Sequence, residues 1–371
     1  MIGGAIVILG FVFIVMIHEG GHLLAAKMFN IKATKYFLGF GPTLWSFNKG
    51  ETEYGIKAIP AGGFVKILGM SPMEEVDERD EERTYRASPF RQKVVVVMAG
   101  VATHFILAFL LIWIADVVIG QHDSSRPLLE ISRVVGNADG TPSPALQEGL
   151  RPGDKIIAID GADVYTWDGF TEILRGKPDE EVSLIFKRGD EVISVNPVLA
   201  SRFDQDRGEK IGFLGVAPKF DKIREGPISG ITKAIYKTSV FVIESLKGLW
   251  GFIFNIGDLF KSLWNDDMDI DETRPVSIIG IVQFGAVTQD AGFNITLELL
   301  AYISVFVGLV NALPLYPLDG GHLAVAIYEK VTGNHPDVRK LLPVAVMVVS
   351  FIIILGIMGV YFDIAKPLSF E

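Results

Sequence analysis

The sequence predicts an α-helical integral membrane protein with four transmembrane helices, a re-entrant β-hairpin or sheet, and an inserted α+β domain. Three observations lead there. The 371-residue chain is 49% hydrophobic with a mean hydropathy of +0.37, too apolar for an ordinary soluble enzyme. Four stretches are apolar over a length that crosses roughly 30 Å of hydrocarbon. Between the second and third runs lies a long polar segment with the alternation and turn residues of strands.

Composition narrows the function further. A net charge of -10 leaves no basic face for nucleic acid. Cysteine is absent, so disulfides and thiolate ligands are excluded and any metal must be held by His, Asp or Glu.

The first helix is expected over Ile2 to Met28, about 40 Å long at 1.5 Å per residue. It lacks a basic leader and a small-residue cleavage site, so it reads as a retained span rather than a signal peptide. Inside it lies His18-Glu19-Gly20-Gly21-His22. Residues i and i+4 share a helix face, so both imidazoles can address one metal ion while Glu19 approaches a water. The pattern also occurs in soluble helices without a metal. At bilayer depth, however, an ionisable side chain costs about 2.5–3.5 kcal/mol on insertion scales, and a bound cation would compensate.

From Ala33 to Leu68 the chain becomes alternating and glycine-punctuated, with G-F-G-P at Gly39 to Pro42 and P-A-G-G at Pro60 to Gly63. This reads as a hairpin, either on the surface or re-entrant beside the metal where protein or a wet cavity covers its backbone. Ser71 to Arg86 is a charged, solvated stretch. The second span is expected over Val94 to Ile119 and contains His104, which reads as a packed or cavity-facing histidine rather than a ligand.

Residues 125–200 form the inserted domain. Its run A-L-Q-E-G-L-R-P-G-D-K-I-I-A-I-D-G, Ala145 to Gly161, resembles the signature of a bacterial, permuted PDZ domain. Such a domain adds an extended peptide to a sheet edge; a spacer that restricts access is the other reading. Residues 201–296 are expected to hold a linker and interfacial amphipathic helices: between Gly226 and Trp264 the longest uncharged run, Gly248 to Gly257, is too short to cross, and the other reading, a span there, would flip the topology of everything after it. The membrane part then resumes over residues 297–371, as it began over residues 1–120. The third span is expected over Leu297 to Leu318 and leads into Asn311-Ala-Leu-Pro-Leu-Tyr-Pro-Leu-Asp319-Gly-Gly-His322, where Asp319 is the obvious third ligand. Leu341 to Phe362 is the fourth. Lys27, Lys32, Lys35, Arg91, Lys93, Lys330, Arg339 and Lys340 mark the cytoplasmic side, which puts both termini and the inserted domain outside.

Taken together, His18 to His22, the G-F-G-P segment, Pro60 to Lys66, the single PDZ-like insert and Asn311 to Gly320 resemble the site-2 protease family, in the bacterial group that includes the regulator-of-sigma-E proteases. Many members carry A-G-P-x-x-N in the second span, where this chain has Ala99-Gly100-Val101-Ala102-Thr103-His104. The resemblance implies zinc on His18, His22 and Asp319, Glu19 as general base, and Asn311 at the substrate backbone or oxyanion. It also implies that a substrate strand pairs with the hairpin at Gly62, Gly63 and Phe64. The expected function is intramembrane proteolysis of single-span proteins, such as a pre-trimmed anti-sigma factor, in a bacterial cytoplasmic membrane. Partners would be that substrate and the lipid bilayer, with no nucleic acid. The alternative is a non-catalytic scaffold with a structural metal, using the PDZ-like domain to bind protein tails. A metal-coupled transporter is disfavoured because no internal repeat is present.

Overall fold

The computed structural model describes residues 2–71, 74–136, 141–204, 208–261, 274–334 and 336–365. Two compact units form, one of Met1–Ile119 with Glu225–Glu371 and one of Gly120–Arg224.

The first unit opens with α1 (Ile2–Met28), then β1 (Ala33–Lys49) and β2 (Thr52–Ile67), a 3-10 turn at Glu78–Arg83, and α2 (Phe90–Trp113), which continues as a π-helical turn over Ile114–Ile119. β1 and β2 pair antiparallel as a strongly curved hairpin; residues 35–38 are flanked by 53–56 on one side and 63–66 on the other. The segment 63–67 is thereby laid against α1 near the His-Glu-His turn, since a Cβ on Gly63 would lie 2.8 Å from Met16 Sδ.

The second unit carries β3 (Gln121–Val134), α3 (Pro144–Gln147), β4 (Lys155–Ile159), β5 (Ala162–Asp163), α4 (Trp167–Arg175), β6 (Leu184–Arg188), β7 (Glu191–Val195), β8 (Ala200–Asp204), β9 (Glu209–Phe213) and β10 (Val216–Ile223). Strands order as β10-β3-β4-β6-β7, with β5 on β4 and a separate β8-β9 hairpin. α4 starts where Thr166 accepts the Gly169 N–H, and buries Trp167, Phe170 and Leu174 from one face. These pack with Ile131, Ile159, Leu184, Phe186, Leu199 and Leu214 into one core. The unit is longer than the expected 125–200. Within the stretch read from sequence as linker, Val216–Ile223 returns as β10 to pair with β3, and that long-range pairing leaves no local trace.

The first unit resumes with α5 (Pro227–Lys261), α6 (Ile278–Ala291), α7 (Phe293–Asn311), α8 (Asp319–Thr332) and α9 (Val338–Ala365). α2 packs on α1, α7, α8 and α5, and α6 packs on α1. Among the described residues, five helices are long and apolar enough to cross a membrane: Gly3–Met28, Phe90–Ile119, Pro227–Lys261, Phe293–Asn311 and Arg339–Ala365. Four overlap the apolar runs read from the sequence. The fifth, α5, lies where interfacial amphipathic helices were expected and is one unbroken helix of 35 residues, because no proline interrupts residues 228–261. Residues 262–273, also within the expected linker, lie outside the described residues. The third span stops at Asn311 rather than Leu318. Pro314 and Pro317 have no N–H to continue the ladder, and a new helix begins at Asp319.

Candidate active site

Three side chains from two distant parts of the chain converge. His18 and His22, one turn apart on α1, place their Nε2 atoms 3.2 Å from each other. Asp319, the first residue of α8, brings Oδ2 to 3.4 Å from His18 Nε2 and 3.3 Å from His22 Nε2. All three are largely shielded from solvent.

Their fit to a metal can be tested on this geometry. Three donors on one tetrahedral ion with bonds of 2.0–2.1 Å lie roughly 3.3–3.4 Å apart, the spacing seen here. Asp319 Oδ2 is buried and receives no hydrogen bond, a costly state for a carboxylate oxygen unless a cation faces it. His22 Nδ1–H donates to the Val96 carbonyl at 2.8 Å, which fixes the tautomer and turns a bare Nε2 lone pair toward the cluster. Two imidazoles and a carboxylate also form the three-ligand set that leaves zinc an open position. The residues therefore fit zinc.

Close helix contact makes this possible. A Cβ at Gly21 would lie 2.7 Å from the Ala99 carbonyl oxygen, and one at Gly100 would collide with the His22 ring. Glycine at both positions lets α1 and α2 approach until Val96 reaches the imidazole.

Glu19 sits beside the triangle without joining it. Its Oε2 accepts the Val65 backbone N–H at 2.9 Å, and Tyr36 donates its hydroxyl to the Met16 carbonyl at 2.6 Å. The hairpin is thus tied to the motif turn twice. Gly62 has φ +144°, which favours glycine, while Phe64 stacks on Phe37 and Phe40 with centroids 5.8 and 6.0 Å apart. Beside this edge lies a cavity of about 450 Å³, lined by Val65, Lys66, Met70, Glu74, Tyr316 and His322 among others. Asn311 ends α7 half-buried; among the described residues no hydrogen bond links it to the triangle. His104, read as packed, is fully buried with its ring 4.8 Å from that of His18. Sequence reasoning missed Val65, Val96 and Gly100, because a backbone group or an absent side chain carries no residue-type signal.

Residues 6–356 match the model of peptidase family M50. The chain is 31% identical to the zinc metalloprotease Rip1 of Mycolicibacterium smegmatis, over 96% of this chain and 95% of that one. It is 28% identical to Rip1 of Mycobacterium tuberculosis, over 95% of each. Among solved structures, the PDZ domain of an SdrC-like protein from Listeria monocytogenes resembles 26% of this chain and 92% of its own, at 22% identity and a TM-score of 0.20, too slight a likeness to argue from.

Proposed function

The chain belongs to peptidase family M50 and is a membrane zinc metalloprotease, and from that premise we propose that it cuts single-span membrane proteins within the bilayer, an anti-sigma factor already trimmed outside being the expected kind of substrate. The observation that carries this reading is the His18-His22-Asp319 triangle, two of its members inside a helix of membrane length, with a hairpin edge tied to Glu19 beside it.

In this reading His18, His22 and Asp319 hold zinc, which when bound supplies Lewis acidity and lowers the pKa of a water to about 7. Glu19 is the general base. Its Oε2 is anchored on Val65 N–H, so Oε1 is the atom that takes the proton as water attacks the scissile carbonyl. Asn311 donates to the oxyanion from the end of α7. A helical substrate hides its carbonyls, so it must unwind and be held extended; Gly62, Gly63 and Phe64 on the hairpin edge offer strand pairing for this, and the adjoining cavity offers room.

We also propose four spans, with both termini and the inserted unit outside and α5 lying on the outer face. Two tethers support this. Near its start, α5 accepts the Trp113 Nε1–H at Pro227 O and pairs Lys237 with Asp116, at the end of α2. Near its finish, Leu259 packs with Met358 and Phe362, at the end of α9. Asp363 in turn accepts the Gly280 N–H at the start of α6, and α6 rests on the start of α1 through Val282 and Gly285 against Gly4 and Val7. Lys237 also reaches Glu298 at the start of α7. These helix ends share one face. Ties at both ends of this helix of 35 residues, about 50 Å long, support a course along that face rather than across the membrane.

The test is cleavage of a tagged, ectodomain-truncated single-span protein in membranes by the native chain and by Glu19→Gln. Cleavage by the native chain alone is expected, with zinc content equal in both. If neither cuts any of several substrates while both hold zinc, the scaffold alternative stands instead.

A further inference from the structure

We propose that His104 is a positioning residue for the ligand His18, accepting a hydrogen bond from His18 Nδ1–H on its own Nε2. The proposal rests on the zinc-protease reading, because it takes His18 Nε2 to be bound to the cation and the ring's proton to be held on Nδ1 for that reason.

His104 sits in the middle of α2, 1% exposed, its ring tilted 36° to that of His18 with centroids 4.8 Å apart. Its tautomer follows from Ser304 on α7. The Ser304 hydroxyl has one proton and donates it to the His104 carbonyl oxygen at 3.0 Å. The 3.2 Å contact between Ser304 Oγ and His104 Nδ1 must then use the imidazole's proton, with Nδ1–H donating to the oxygen. Nε2 is left with a bare lone pair, buried and without a hydrogen-bond partner.

His18 Nδ1 is buried and without a partner too. The two atoms belong to adjacent rings, and once His18 is a ligand one is a donor and the other an acceptor. The other acceptor near His18 is the Gly100 carbonyl, which takes the Thr103 hydroxyl at 2.6 Å and so has one lone pair left, whereas His104 Nε2 has no other donor to serve. Gly308 backs the imidazole from the other side: a Cβ there would lie 2.7 Å from His104 Cβ, so α7 closes in and holds the ring against His18.

The outcome is a chain from His18 Nδ1–H to His104 Nε2, from His104 Nδ1–H to Ser304 Oγ, and from the Ser304 hydroxyl to the backbone. His22 has its equivalent support in Val96; His104 gives it to His18. Such outer partners orient a ligand and raise its basicity, and losing one costs typically about 10–100-fold in metal affinity.

The experiment measures the zinc Kd of the full chain in detergent by competition with a chromophoric chelator, with apo-protein thermal unfolding as the control for folding. His104→Leu is expected to weaken zinc binding roughly 10–100-fold. His104→Asn, whose amide oxygen can accept, is expected to restore most of it. Ser304→Ala is expected to fall between, since His104 loses the acceptor that fixes its tautomer. Native affinity in both His104→Leu and Ser304→Ala, with the native chain still cleaving, overturns this inference and leaves the protease reading intact. If the leucine variant does not fold, native affinity in Ser304→Ala overturns it alone. A native chain that holds no zinc overturns both.

Discussion

His22 depends on an atom that is missing. The space for its ring exists only because Gly100 lacks a Cβ, so Gly100→Ala is expected to drive the imidazole out of the triangle. Overpacking of this kind costs about 1–3 kcal/mol, and zinc content measured after dialysis should drop in step with activity. Of the site, the proposed ligands and Glu19 were legible as candidates because side-chain chemistry at i,i+4 spacing, and an Asp beyond a proline-broken helix, are patterns in residue type. Val65 was not legible: its contribution is an N–H that every residue but proline has.

At the scale of elements, the inserted unit holds an ion pair between β4 and β6 whose carboxylate is buried and whose guanidinium reaches the surface. Asp154, just before β4, accepts from Arg188 Nε and Nη2 at 2.8 Å each and from the Arg151 N–H at 2.8 Å. Burial pushes its carboxyl up, but these hydrogen bonds and the arginine charges outweigh burial and hold it below the ordinary carboxylate value. A depressed native pKa stabilises the fold above the unfolded value of about 3.9, and that stability is lost as pH falls through the lower, native value. Thermal unfolding of the full chain followed by a probe in this unit should show Tm falling below about pH 4. In Arg188→Leu that acid dependence should flatten, with a lower Tm at neutral pH, because Asp154 loses the cation that faces it. In the first unit, Lys237 lies 3.0 Å from Asp116 and 2.8 Å from Glu298, joining α5 to α2 and α7. Lys237→Met removes the cation shared by two carboxylates, so α5 is expected to loosen by about 3–5 kcal/mol. Limited proteolysis near Lys247 or Lys261 would register it as faster cutting. The four most apolar helices were legible from their runs, and the hairpin from its glycines and alternation; α8 and the unbroken length of α5 were not. Their ends were not, since Asn311 and Arg224 are boundaries set by the segments packed around them in space.

At the scale of the whole molecule, the proposed topology makes a clean prediction, because the chain has no cysteine of its own. Single cysteines replacing Lys35 and Lys340 should react only with a permeant reagent. Those replacing Ser125, Lys247 and Lys261 should react with an impermeant one added outside. Lys261→Cys labelled only from inside would mean that α5 crosses, and the sides assigned after it would reverse.

By itself the sequence determined a membrane chain with an inserted domain, a His-Glu-His turn and Asp319 as its candidate third ligand, because hydropathy, periodicity and residue chemistry are local properties written in order along the chain. Only the tertiary structure decided that Asp319 completes the triangle at tetrahedral spacing, that Val65 anchors Glu19, and that His104 and Ser304 stand behind His18. Those are distances between segments up to about 300 residues apart, and they exist only once Gly21, Gly100 and Gly308 let the helices close to contact.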